Sequence, residues 1–400
     1  MIKTKYLIIG AGLTGLTLAK NLGEDYLILE KTNEIGGLSK SFYCGDFVFD
    51  CGGHFMHGFD LDKTNQSIIK VNKIAKVAFK QKFINAPFQN NVQELNEKDY
   101  EKCVKDFNKK HKFKPTNLTN YLYSMYGKTT VNLFLKPYNE KLYCTKLNSL
   151  DKNCFGRFFP APNNKKNYND EFIYDKLGCA HFFEKTFNAV DKSKIIFNCF
   201  YTSIDVKHKL VHTNKDVIKF EYLINTSPFN QFYKAINETD YNKNKKYLKA
   251  NKVLVINIGF NKNSNVNFHW IYVENKHINF YRVGFYSNIT KGDKLSIYAE
   301  VAFKENANIN TEKEFKKVLR GLKQLGIIDD SFKVEQHNFV VCNPAYVHIN
   351  KKSNELVSSF KSSLEKNNVY TIGRYGNWEY SSMIDNVKEA ENLVLRIKGN

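Results

Sequence analysis

The arginines of this chain are the residues whose side-chain chemistry is most selective. Of its 60 lysines and arginines, only those at positions 157, 282, 320, 374 and 396 are arginine. Lysine carries a point charge, whereas the planar guanidinium group binds two oxygens of a phosphate or carboxylate at once. A retained arginine therefore indicates a position where paired contacts are needed. Arg320 and Arg396 lie within amphipathic helical patterns, so we expect those two to contribute to helix packing instead.

A glycine motif at the start of the chain indicates a second type of chemistry. Gly10, Gly12 and Gly15 form GxGxxG between the strand pattern YLIIG and the amphipathic helical pattern LTLAKNL. Glycine at these positions permits a tight turn, close approach of the backbone to a pyrophosphate, and close packing of helix on sheet. The next strand pattern, YLILE, ends at Glu30, about 20 residues after Gly10, where a carboxylate accepts hydrogen bonds from a ribose hydroxyl. This βαβ pattern predicts a dinucleotide site.

The loop after Glu30 narrows the choice of dinucleotide. It contains Gly36, Gly37 and Ser39 within the segment KTNEIGGLSKSF. This loop resembles the second phosphate-proximal loop of the large FAD-binding families, which include amine oxidases and sugar-nucleotide mutases. Since nicotinamide enzymes generally lack such a loop, we expect the cofactor to be FAD.

Later segments are expected to return to the same sheet. The runs at residues 194–206 and 221–229 have strand patterns, and the run at 368–376 is followed by a helical pattern from about 385 to 397. The first and last segments of the chain would then meet around the flavin. The FAD-binding domain is therefore predicted to be discontinuous.

The fold class that follows is α/β, with a discontinuous Rossmann-like FAD-binding domain, a helical insertion and an antiparallel β-sheet substrate domain. Charged helical stretches such as EKDYEKCVKDFNKKH characterise the first insertion, whereas the runs NKVLVINIGF and KLSIYAEVAF characterise the second. We place the three parts of the FAD-binding domain at residues 1–90, 186–232 and 341–400, the helical insertion at 91–185 and the sheet domain at 233–340.

Composition limits the classes of protein that need to be considered. With 400 residues, 42% of them hydrophobic and 14% aromatic, the chain can form a folded protein of two or three domains. A formal charge of +20 suggests nucleic-acid binding, but the lysines are scattered among Asn and Asp in every segment and form no basic block. The eight cysteines contain no CxxC pair, and no apolar stretch of about 20 residues is present. We therefore expect a reduced, cytoplasmic protein with no structural metal, no membrane span and no nucleic-acid partner.

Several blocks beyond the glycine motifs resemble one family. In these blocks the chain is similar to the flavin-dependent UDP-galactopyranose mutases, more closely to the eukaryotic-type branch than to the typical bacterial one. The blocks are FDCGGHFMH (49–57), APFQNN (86–91), KPYNEKLY (136–143), CFGRFFPAP (154–162), NDEFIY (169–174), HWIYVENKHINFYRVGFYSN (269–288), NPAY (343–346) and GRYGNWEY (373–380). They contain Arg157, Arg282 and Arg374, so the resemblance offers a role for three of the arginines.

The resemblance implies a reaction without net redox change. Members of the family interconvert the pyranose and furanose forms of a sugar attached to UDP, with galactose as the default sugar. Reduced flavin N5 attacks the anomeric carbon and expels UDP, and the sugar ring then opens and closes through its other hydroxyl before UDP returns. The expected protein is therefore an isomerase with a UDP-sugar substrate and reduced FAD, for which NAD(P)H is a candidate reductant.

The resemblance also implies roles for individual residues. The residues that match the family's catalytic positions, including two tyrosines on the far side of the diphosphate, are Arg157, Arg282, His54, Tyr346, Tyr380 and Asn139. Beside the fingerprint residues, Gly53 and Arg374 match positions that contact the flavin. The residues that match the substrate pocket are Phe88, Gln89, Tyr143, Asn169, Trp270 and Tyr272.

The roles that the resemblance implies for the two diphosphate arginines and for the base-binding strand have a physical basis. The leaving diphosphate gains negative charge as the glycosidic bond breaks, and paired guanidinium contacts from Arg157 and Arg282 stabilise that charge more than they stabilise the ground state. At the other end of the nucleotide, the aromatic face of Phe88 is expected to stack on uracil. The amide of Gln89 is expected to pair with the edge of the base.

The chain departs from the family in the sugar and nucleoside pocket. Tyr143 stands where tryptophan is usual, Ala86 replaces an aromatic residue, and Ser382 stands where bacterial members have aspartate. A mutase for another nucleotide sugar therefore stays open. An FAD oxidoreductase of the amine-oxidase or desaturase type is a further alternative, and the remaining class is a flavin-binding protein without turnover or a basic protein that binds nucleic acid. The Asn- and Lys-rich segment 161–170 is our candidate for a loop that closes over the substrate.

Overall fold

Short runs rich in Val, Ile and Phe form the strands of this chain, because β-branched and aromatic side chains fit a pleated surface. The structure is a computed structural model that describes residues 1–23, 25–61, 64–109, 115–154 and 170–399. In chain order, the strands of these residues are β1 (Ile2–Ile9), β2 (Tyr26–Leu29), β3 (Ser41–Cys44), β4 (Phe47–Asp50), β5 (Ile68–Asn72), β6 (Ala75–Phe79), β7 (Lys82–Asn85), β8 (Glu171–Asp175), β9 (Ile195–Ile196), β10 (Tyr201–Asp205), β11 (Leu210–Thr213), β12 (Val217–Asn225), β13 (Asn251–Phe260), β14 (Trp270–Val273), β15 (Arg282–Phe285), β16 (Ser296–Lys304), β17 (Val334–Cys342) and β18 (Val369–Thr371).

Several helices have an asparagine as their N-cap residue. The helices of the described residues are α1 (Leu13–Leu22), α2 (Glu97–Asn108), α3 (Leu118–Tyr126), α4 (Lys128–Thr130), α5 (Lys136–Tyr143), α6 (Cys179–Phe182), α7 (Glu184–Asn188), α8 (Phe229–Ile236), α9 (Glu238–Asn244), α10 (Tyr286–Thr290), α11 (Thr311–Gln324), α12 (Lys351–Glu365), α13 (Gly373–Gly376) and α14 (Met383–Lys398). Asn96, Asn117, Asn310 and Asn350 accept a hydrogen bond from the first turn of α2, α3, α11 and α12, respectively. Among the described residues, no helix combines the length and the apolar character needed to cross a bilayer.

The first sheet joins three separate parts of the chain. Its strand order is β10-β11-β12-β1-β2-β9, and β18 also pairs with β12. The pairings among β1, β2, β9, β12 and β18 are parallel, and Ile8 is aligned with Ile28 and Ile224, all fully buried. The hairpin of β10 and β11 extends the sheet in antiparallel fashion. This arrangement confirms the discontinuous Rossmann-like fold that the returning strand patterns predicted.

The second sheet is antiparallel except at one pairing. Its order is β17-β13-β16-β15-β14-β6-β7, and only β14 and β6 run parallel within it. The predicted antiparallel sheet is thus confirmed, but residues 75–85, which we placed in the first FAD-binding segment, supply its strands β6 and β7. Val77 and Ile84 lie opposite each other in this hairpin and are buried in the same core as the helical insertion. Burial of this apolar pair decides where the hairpin lies, and the other domain boundaries stay predictions.

One lysine joins the helical insertion to the second sheet. Lys141 on α5 donates from Nζ to the carbonyl oxygens of Val273, Asn275 and Phe280, at 3.0, 2.9 and 2.6 Å. Burial lowers the pKa of this amine to about 7. Val273 is the last residue of β14, and Asn275 and Phe280 lie in the connection between β14 and β15. Lys141 therefore holds the hairpin from which Arg282 projects.

A buried carboxylate anchors the loop that follows β4. Asp50 is fully buried and accepts hydrogen bonds from Ser41 Oγ at 2.6 Å, Cys179 N at 2.9 Å and Tyr174 Oη at 2.8 Å. Burial raises the pKa of Asp50 to about 6, although these hydrogen bonds act in the opposite direction. Its backbone carbonyl oxygen accepts from Asn257 Nδ2 on the second sheet at 2.9 Å. The start of the following loop is therefore held by β3, β8 and α6 through the Asp50 side chain and by the second sheet through the Asp50 carbonyl oxygen.

Gly15 sets how closely α1 packs on β1. An ideal Cβ on Gly15 would lie 2.0 Å from the Gly10 carbonyl oxygen and 3.3 Å from Ile8 Cγ2. We expect Gly15→Ala to push the helix from the strand and to lower the free energy of unfolding by about 1–3 kcal/mol in urea denaturation. Gly292→Ala is the control, because a Cβ there would have ordinary contacts of 3.6 Å or more. Equal stability of the two variants would contradict this account of the packing.

The raised pKa of Asp50 predicts a pH-dependent stability. Ionisation costs more in the folded chain than in the unfolded chain, where the carboxyl has its ordinary pKa of 3.8, so the folded state loses stability as the pH rises from about 4 to about 6. Asp50→Asn lacks this titration. The unfolding free energy of the wild type minus that of the variant should therefore fall by about 2–3 kcal/mol between pH 4 and pH 7 in urea denaturation.

A variant with an exposed carboxylate provides the control for this measurement. Asp60→Asn, which removes an exposed carboxylate, is measured in parallel. A difference between wild type and Asp50→Asn that stays constant across the pH range would show that Asp50 titrates equally in the folded and unfolded chains.

Candidate functional site

One large cavity runs from the carboxyl ends of β1 and β2 to the face of the second sheet, with a volume of about 1140 Å³. The carboxyl edge of a parallel sheet is where ligands bind in α/β folds. The predicted site residues that line this cavity are Gly10, Gly12, Glu30, Gly37, Ser39, Gly53, His54, Trp270, Tyr272, Arg282, Tyr346, Arg374 and Tyr380. The cavity therefore brings the dinucleotide fingerprint together with four of the six predicted catalytic residues.

Two glycine loops meet at the dinucleotide end of the cavity. Gly12 and Gly36 form a parallel β-bridge, and Gly36 N donates to the Ala11 carbonyl oxygen at 2.8 Å. Gly37 has a φ of 56°, and an ideal Cβ there would lie 3.0 Å from Gly12 Cα. A side chain at residue 37 would separate the loops. Their close approach leaves a wall of bare backbone, which is the surface that a pyrophosphate requires.

The carboxylate of Glu30 is held in one orientation at the end of β2. Its Oε2 accepts from Ala11 N at 2.8 Å, and its Oε1 accepts from Thr32 N at 2.9 Å and Thr32 Oγ1 at 2.8 Å. A carboxylate has about four lone-pair positions, so one further donor can be accepted. The geometry therefore fits the ribose contact expected for Glu30.

Arg282 on β15 forms a buried ion pair. It lies directly opposite Glu300 on β16, with Nε donating to Oε2 at 2.9 Å and Nη2 donating to Oε1 at 2.5 Å. Glu300 is only 3% exposed, so the paired contacts that the guanidinium offers are used to neutralise a buried carboxylate. Within the described residues no hydrogen bond to Arg282 Nη1 is found, so this nitrogen is available to a ligand.

Glu300 was not among the predicted site residues. Its signal in the sequence is a single charged residue inside the apolar run SIYAEVAF, since a carboxylate in a buried strand requires a partner. Tyr281 also lines the cavity and was not predicted. It precedes Arg282 in a run of aromatic residues and carries no comparable signal. Cross-strand pairing reveals Glu300, and the lining of the cavity reveals Tyr281.

Arg374 lies against two stacked tyrosine rings. Its Cζ atom is 4.3 Å from the ring centroid of Tyr380 and 5.6 Å from that of Tyr346, and the two rings stack at 5.7 Å with 19° between their planes. Its Nη1 and Nη2 donate to the carbonyl oxygens of Ser381 at 3.2 Å and Ala345 at 3.4 Å. Cation–π contact fixes the guanidinium beside both predicted catalytic tyrosines.

His54 enters the cavity as a neutral ring. Burial lowers the pKa of His54 to about 4, and the charges of Arg374 and Arg282 act in the same direction. Its Nδ1 is buried and has no hydrogen-bond partner within the described residues. Gly53 must be glycine, because an ideal Cβ there would lie 2.4 Å from Tyr298 Oη. The loop therefore presents a bare backbone and an unused imidazole nitrogen to any bound group.

Stacked aromatic rings form another wall of the cavity. Trp270 and Phe55 stack with their centroids 5.2 Å apart and 13° between their planes, and Phe172 packs on Phe55 at 4.7 Å. Trp270 Nε1 donates to Tyr272 Oη at 2.8 Å. This wall is apolar and rigid, so it can exclude water from a ligand while one hydroxyl stays at its edge.

Two predicted residues lie in the core instead of the cavity wall. Phe88 is 1% exposed, and its ring contacts Phe79 and Phe134 with centroids 5.2 and 4.9 Å away. Asn139 is 2% exposed, and its Nδ2 donates to the Leu135 carbonyl oxygen at 2.6 Å on its own helical segment. Burial of the Phe88 ring among other aromatic rings removes its apolar surface from water. Neither residue lines the cavity, and the substrate contacts expected of them stay predictions.

Tyr143 and Gln89 are also absent from the cavity lining. Tyr143 is 1% exposed, accepts from Cys154 Sγ at 3.6 Å, and packs against Tyr346 with a centroid distance of 5.5 Å. It therefore supports a cavity residue from behind. A motif match gives the type and order of residues. It does not give the face of a helix or turn that reaches the ligand.

Some predictions fall on parts of the chain that are not described. Arg157, Asn169 and the segment 161–170 up to its last residue lie outside the described residues, and their roles stay predictions. Among the residues that are described, no group of three or more His, Cys, Asp or Glu side chains could hold a metal ion. All eight cysteines are free thiols.

Known proteins share this architecture. Residues 8–68 match the NAD(P)-binding Rossmann-like domain family. A crystal structure of reduced UDP-galactopyranose mutase superimposes with a TM-score of 0.91 at 19% sequence identity, covering 100% of this chain and 94% of that chain. The fold is that of a UDP-galactopyranose mutase. The resemblance that the sequence blocks indicated is therefore confirmed at the level of the fold.

The same fold also supports other chemistry. A candidate protoporphyrinogen oxidase from Exiguobacterium sp. 255-15 has a TM-score of 0.78 and 13% identity, covering 99% of this chain and 98% of that chain. Wild-type putrescine oxidase bound to putrescine has a TM-score of 0.70 and 10% identity, covering 100% of both chains. Since one fold hosts several activities, the activity has to be argued from the residues of the site.

The contribution of the paired contacts between Arg282 and Glu300 to stability can be tested by replacing the guanidinium group with an amine. Arg282→Lys keeps the charge but makes one contact where arginine makes two. We expect the free energy of unfolding to fall by about 1.5–3 kcal/mol in urea denaturation at pH 7. Arg320→Lys, at an exposed arginine of α11, is the matched control and should change stability by less than about 0.5 kcal/mol. Equal effects of the two substitutions would mean that the ion pair does not depend on paired contacts.

Proposed function

We propose that this protein is a flavin-dependent nucleotide-sugar mutase that interconverts UDP-galactopyranose and UDP-galactofuranose. The observation that carries the proposal is the position of Arg282, Arg374, Tyr346 and Tyr380 in the cavity that the glycine fingerprint opens. Guanidinium groups and hydroxyl donors beside a dinucleotide fingerprint suit a second phosphate-bearing ligand. The match to a mutase over the whole chain supports the same function.

FAD is the cofactor that the cavity residues fit. Gly12 and Gly37 approach so closely that a Cβ would fill the gap between the loops, which suits a pyrophosphate on bare backbone. The free acceptor position of Glu30 suits a ribose hydroxyl. Gly53 and His54 would lie beside the isoalloxazine, where the unused Nδ1 atom gains a partner. When bound and reduced, FAD supplies a nucleophilic N5 for the anomeric carbon.

The protein's contribution to the reaction is to hold the diphosphate as it departs. Arg282 and the hydroxyls of Tyr346 and Tyr380 would bind its oxygens. Burial raises the pKa of Tyr346, so its hydroxyl stays protonated and can donate a hydrogen bond. The negative charge on UDP increases as the glycosidic bond breaks, and donors fixed in place stabilise that form more than the bound substrate.

Glu300 and the aromatic wall prepare the site for this step. Glu300 holds the guanidinium of Arg282 in one orientation before the nucleotide binds, so little reorganisation is needed. The stacked rings of Phe55 and Trp270 exclude water, which would otherwise hydrolyse an activated sugar. His54 is neutral at pH 7 and adds no charge of its own to the cavity.

Two other functions compete with this proposal. A mutase for a different nucleotide sugar is favoured by the burial of Phe88, since that ring cannot stack on uracil where it lies. An amine-oxidase type of oxidoreductase shares the fold of putrescine oxidase. Such an enzyme has no need for Arg282 and two tyrosines in position to bind a diphosphate, so we place it behind both mutase candidates.

The test is an anaerobic conversion assay. Protein loaded with FAD and reduced by dithionite is incubated with UDP-galactofuranose, and the products are separated by ion-pair chromatography. We expect UDP-galactopyranose to form only in the reduced sample, with NAD(P)H replacing dithionite if it is the natural reductant. Arg282→Lys should retain FAD, shown by its absorption spectrum, and lose most of its turnover. Arg320→Lys should retain both.

Negative results distinguish the alternatives. If the reduced protein binds UDP but converts no UDP-galactofuranose, while another nucleotide sugar is isomerised, the mutase proposal survives with a different substrate. In a separate aerobic assay, oxidation of an amine with reduction of dioxygen to hydrogen peroxide, without any sugar conversion, would replace it by an oxidoreductase. We also propose a cytoplasmic setting, which the free thiols at all eight cysteine positions support.

A further inference from the structure

The turn that carries Arg374 lies between the two ends of the large cavity. This turn is α13 (Gly373–Gly376), which follows β18. Gly373 has a φ of 79°, and an ideal Cβ there would lie 2.8 Å from Thr14 Oγ1, which belongs to the dinucleotide end. The guanidinium of the next residue, Arg374, lies 4.3 Å from the ring centroid of Tyr380. The conformation of this turn therefore sets where one guanidinium lies relative to both ends of the cavity.

A carboxylate outside the large cavity holds both ends of this turn. Glu389 on α14 accepts from Gly373 N with Oε2 at 2.8 Å. It also accepts from Asn377 Nδ2, with Oε1 at 2.7 Å and Oε2 at 2.9 Å. Since Asn377 N donates to the Gly373 carbonyl oxygen at 2.8 Å, the carboxylate closes a ring of hydrogen bonds around the turn.

A lysine on another helix fixes the orientation of the Asn377 amide. Lys361 on α12 donates from Nζ to Asn377 Oδ1. An amide accepts with its oxygen and donates with its nitrogen, so an ammonium group on the oxygen directs the NH2 group towards Glu389. Hydrogen bonds to charged groups are stronger than those between neutral groups. Two helices therefore hold the turn through one amide, with a charged partner on each side of it.

Packing is interrupted behind this turn. A small cavity of about 250 Å³ lies there, and its lining includes Lys361, Glu389 and the two residues that precede the turn, Thr371 and Ile372. A close-packed interior holds a segment by contacts on all sides, whereas a cavity provides none. The hydrogen bonds from Lys361 and to Glu389 therefore supply support that packing does not give here.

We propose that Glu389 is a positioning residue that acts through Arg374: by holding the turn, it keeps the Arg374 guanidinium where a diphosphate can bind. The inference rests on the proposed function for the identity of that ligand. Glu389 is not among the residues that line the large cavity, so an effect of its substitution on nucleotide binding has to pass through the turn.

Exchange of the two polar groups tests the pairing. Glu389→Gln keeps the size of the side chain, but its single oxygen is needed by Gly373 N, so its NH2 group faces the NH2 group of Asn377. Asn377→Asp places two carboxylates against each other. The double variant Glu389→Gln/Asn377→Asp again has a donor facing an acceptor, and Lys361 keeps its acceptor. Each single substitution should therefore loosen the turn, and the double variant should restore it.

A second pair of substitutions separates positioning from general stability. UDP is titrated by calorimetry into FAD-loaded protein, well below the melting temperature of each variant. We expect Glu389→Gln to raise the dissociation constant of UDP about fivefold in the wild-type background and less than about twofold in an Arg374→Met background. The matched control is Glu391→Gln, at an exposed position of the same helix, which should bind UDP as the wild type does.

The outcomes separate the inference from the proposed function. Wild-type UDP affinity in Glu389→Gln together with a lower melting temperature would make Glu389 a structural residue only and would overturn the inference. An equal loss of affinity with and without Arg374 would do the same. If Arg374→Met does not fold, the exchange decides, and a double variant that binds UDP as weakly as Glu389→Gln contradicts the proposal. If the FAD-loaded wild type itself binds no UDP, the proposed function fails and the inference fails with it.

Discussion

The ion pair between Arg282 and Glu300 is the constraint around which the site is built. A buried carboxylate requires a partner, and the two side chains meet because β15 and β16 place them directly opposite each other. The Glu300 carboxylate in turn limits the loop that faces it, since an ideal Cβ on Gly52 would lie 3.0 Å from Glu300 Oε1. An ideal Cβ on Gly53 would likewise lie too close to Tyr298, which is on β16 with Glu300. Side chains of the second sheet thus leave room only for glycine at positions 52 and 53, in the loop after β4.

A second buried carboxylate holds the other end of that loop. Asp50 accepts hydrogen bonds from Ser41 on the neighbouring strand and from Tyr174 and Cys179, which are distant along the chain. Its own carbonyl oxygen accepts from Asn257 of the second sheet. The Asp50 carboxylate therefore fixes the start of the short segment from Asp50 to His54. The Glu300 carboxylate limits the side chains that the middle of this segment can carry. This explains how a loop without regular structure can place an imidazole ring in a cavity with little freedom.

The charges of the cavity favour an anionic ligand. Arg282 is neutralised by Glu300 but keeps Nη1 available, whereas Arg374 is held by two carbonyl oxygens and by the faces of tyrosine rings. Carbonyl groups and rings orient a guanidinium without cancelling its charge. Together these groups give the cavity positive charge and hydrogen-bond donors, which favour an anionic ligand.

The sequence by itself determined the fold class and the dinucleotide end of the site. GxGxxG, the acid at Glu30 and the strand patterns depend on residues close together in the chain, and the structure has them as expected. The sequence blocks also selected Arg282, Arg374 and the tyrosine pair. The tertiary structure decided that Glu300 faces Arg282, that Phe88 lies in the core, and that the hairpin of β6 and β7 joins the second sheet. These results depend on register and on competition for burial between distant segments, which no local pattern encodes.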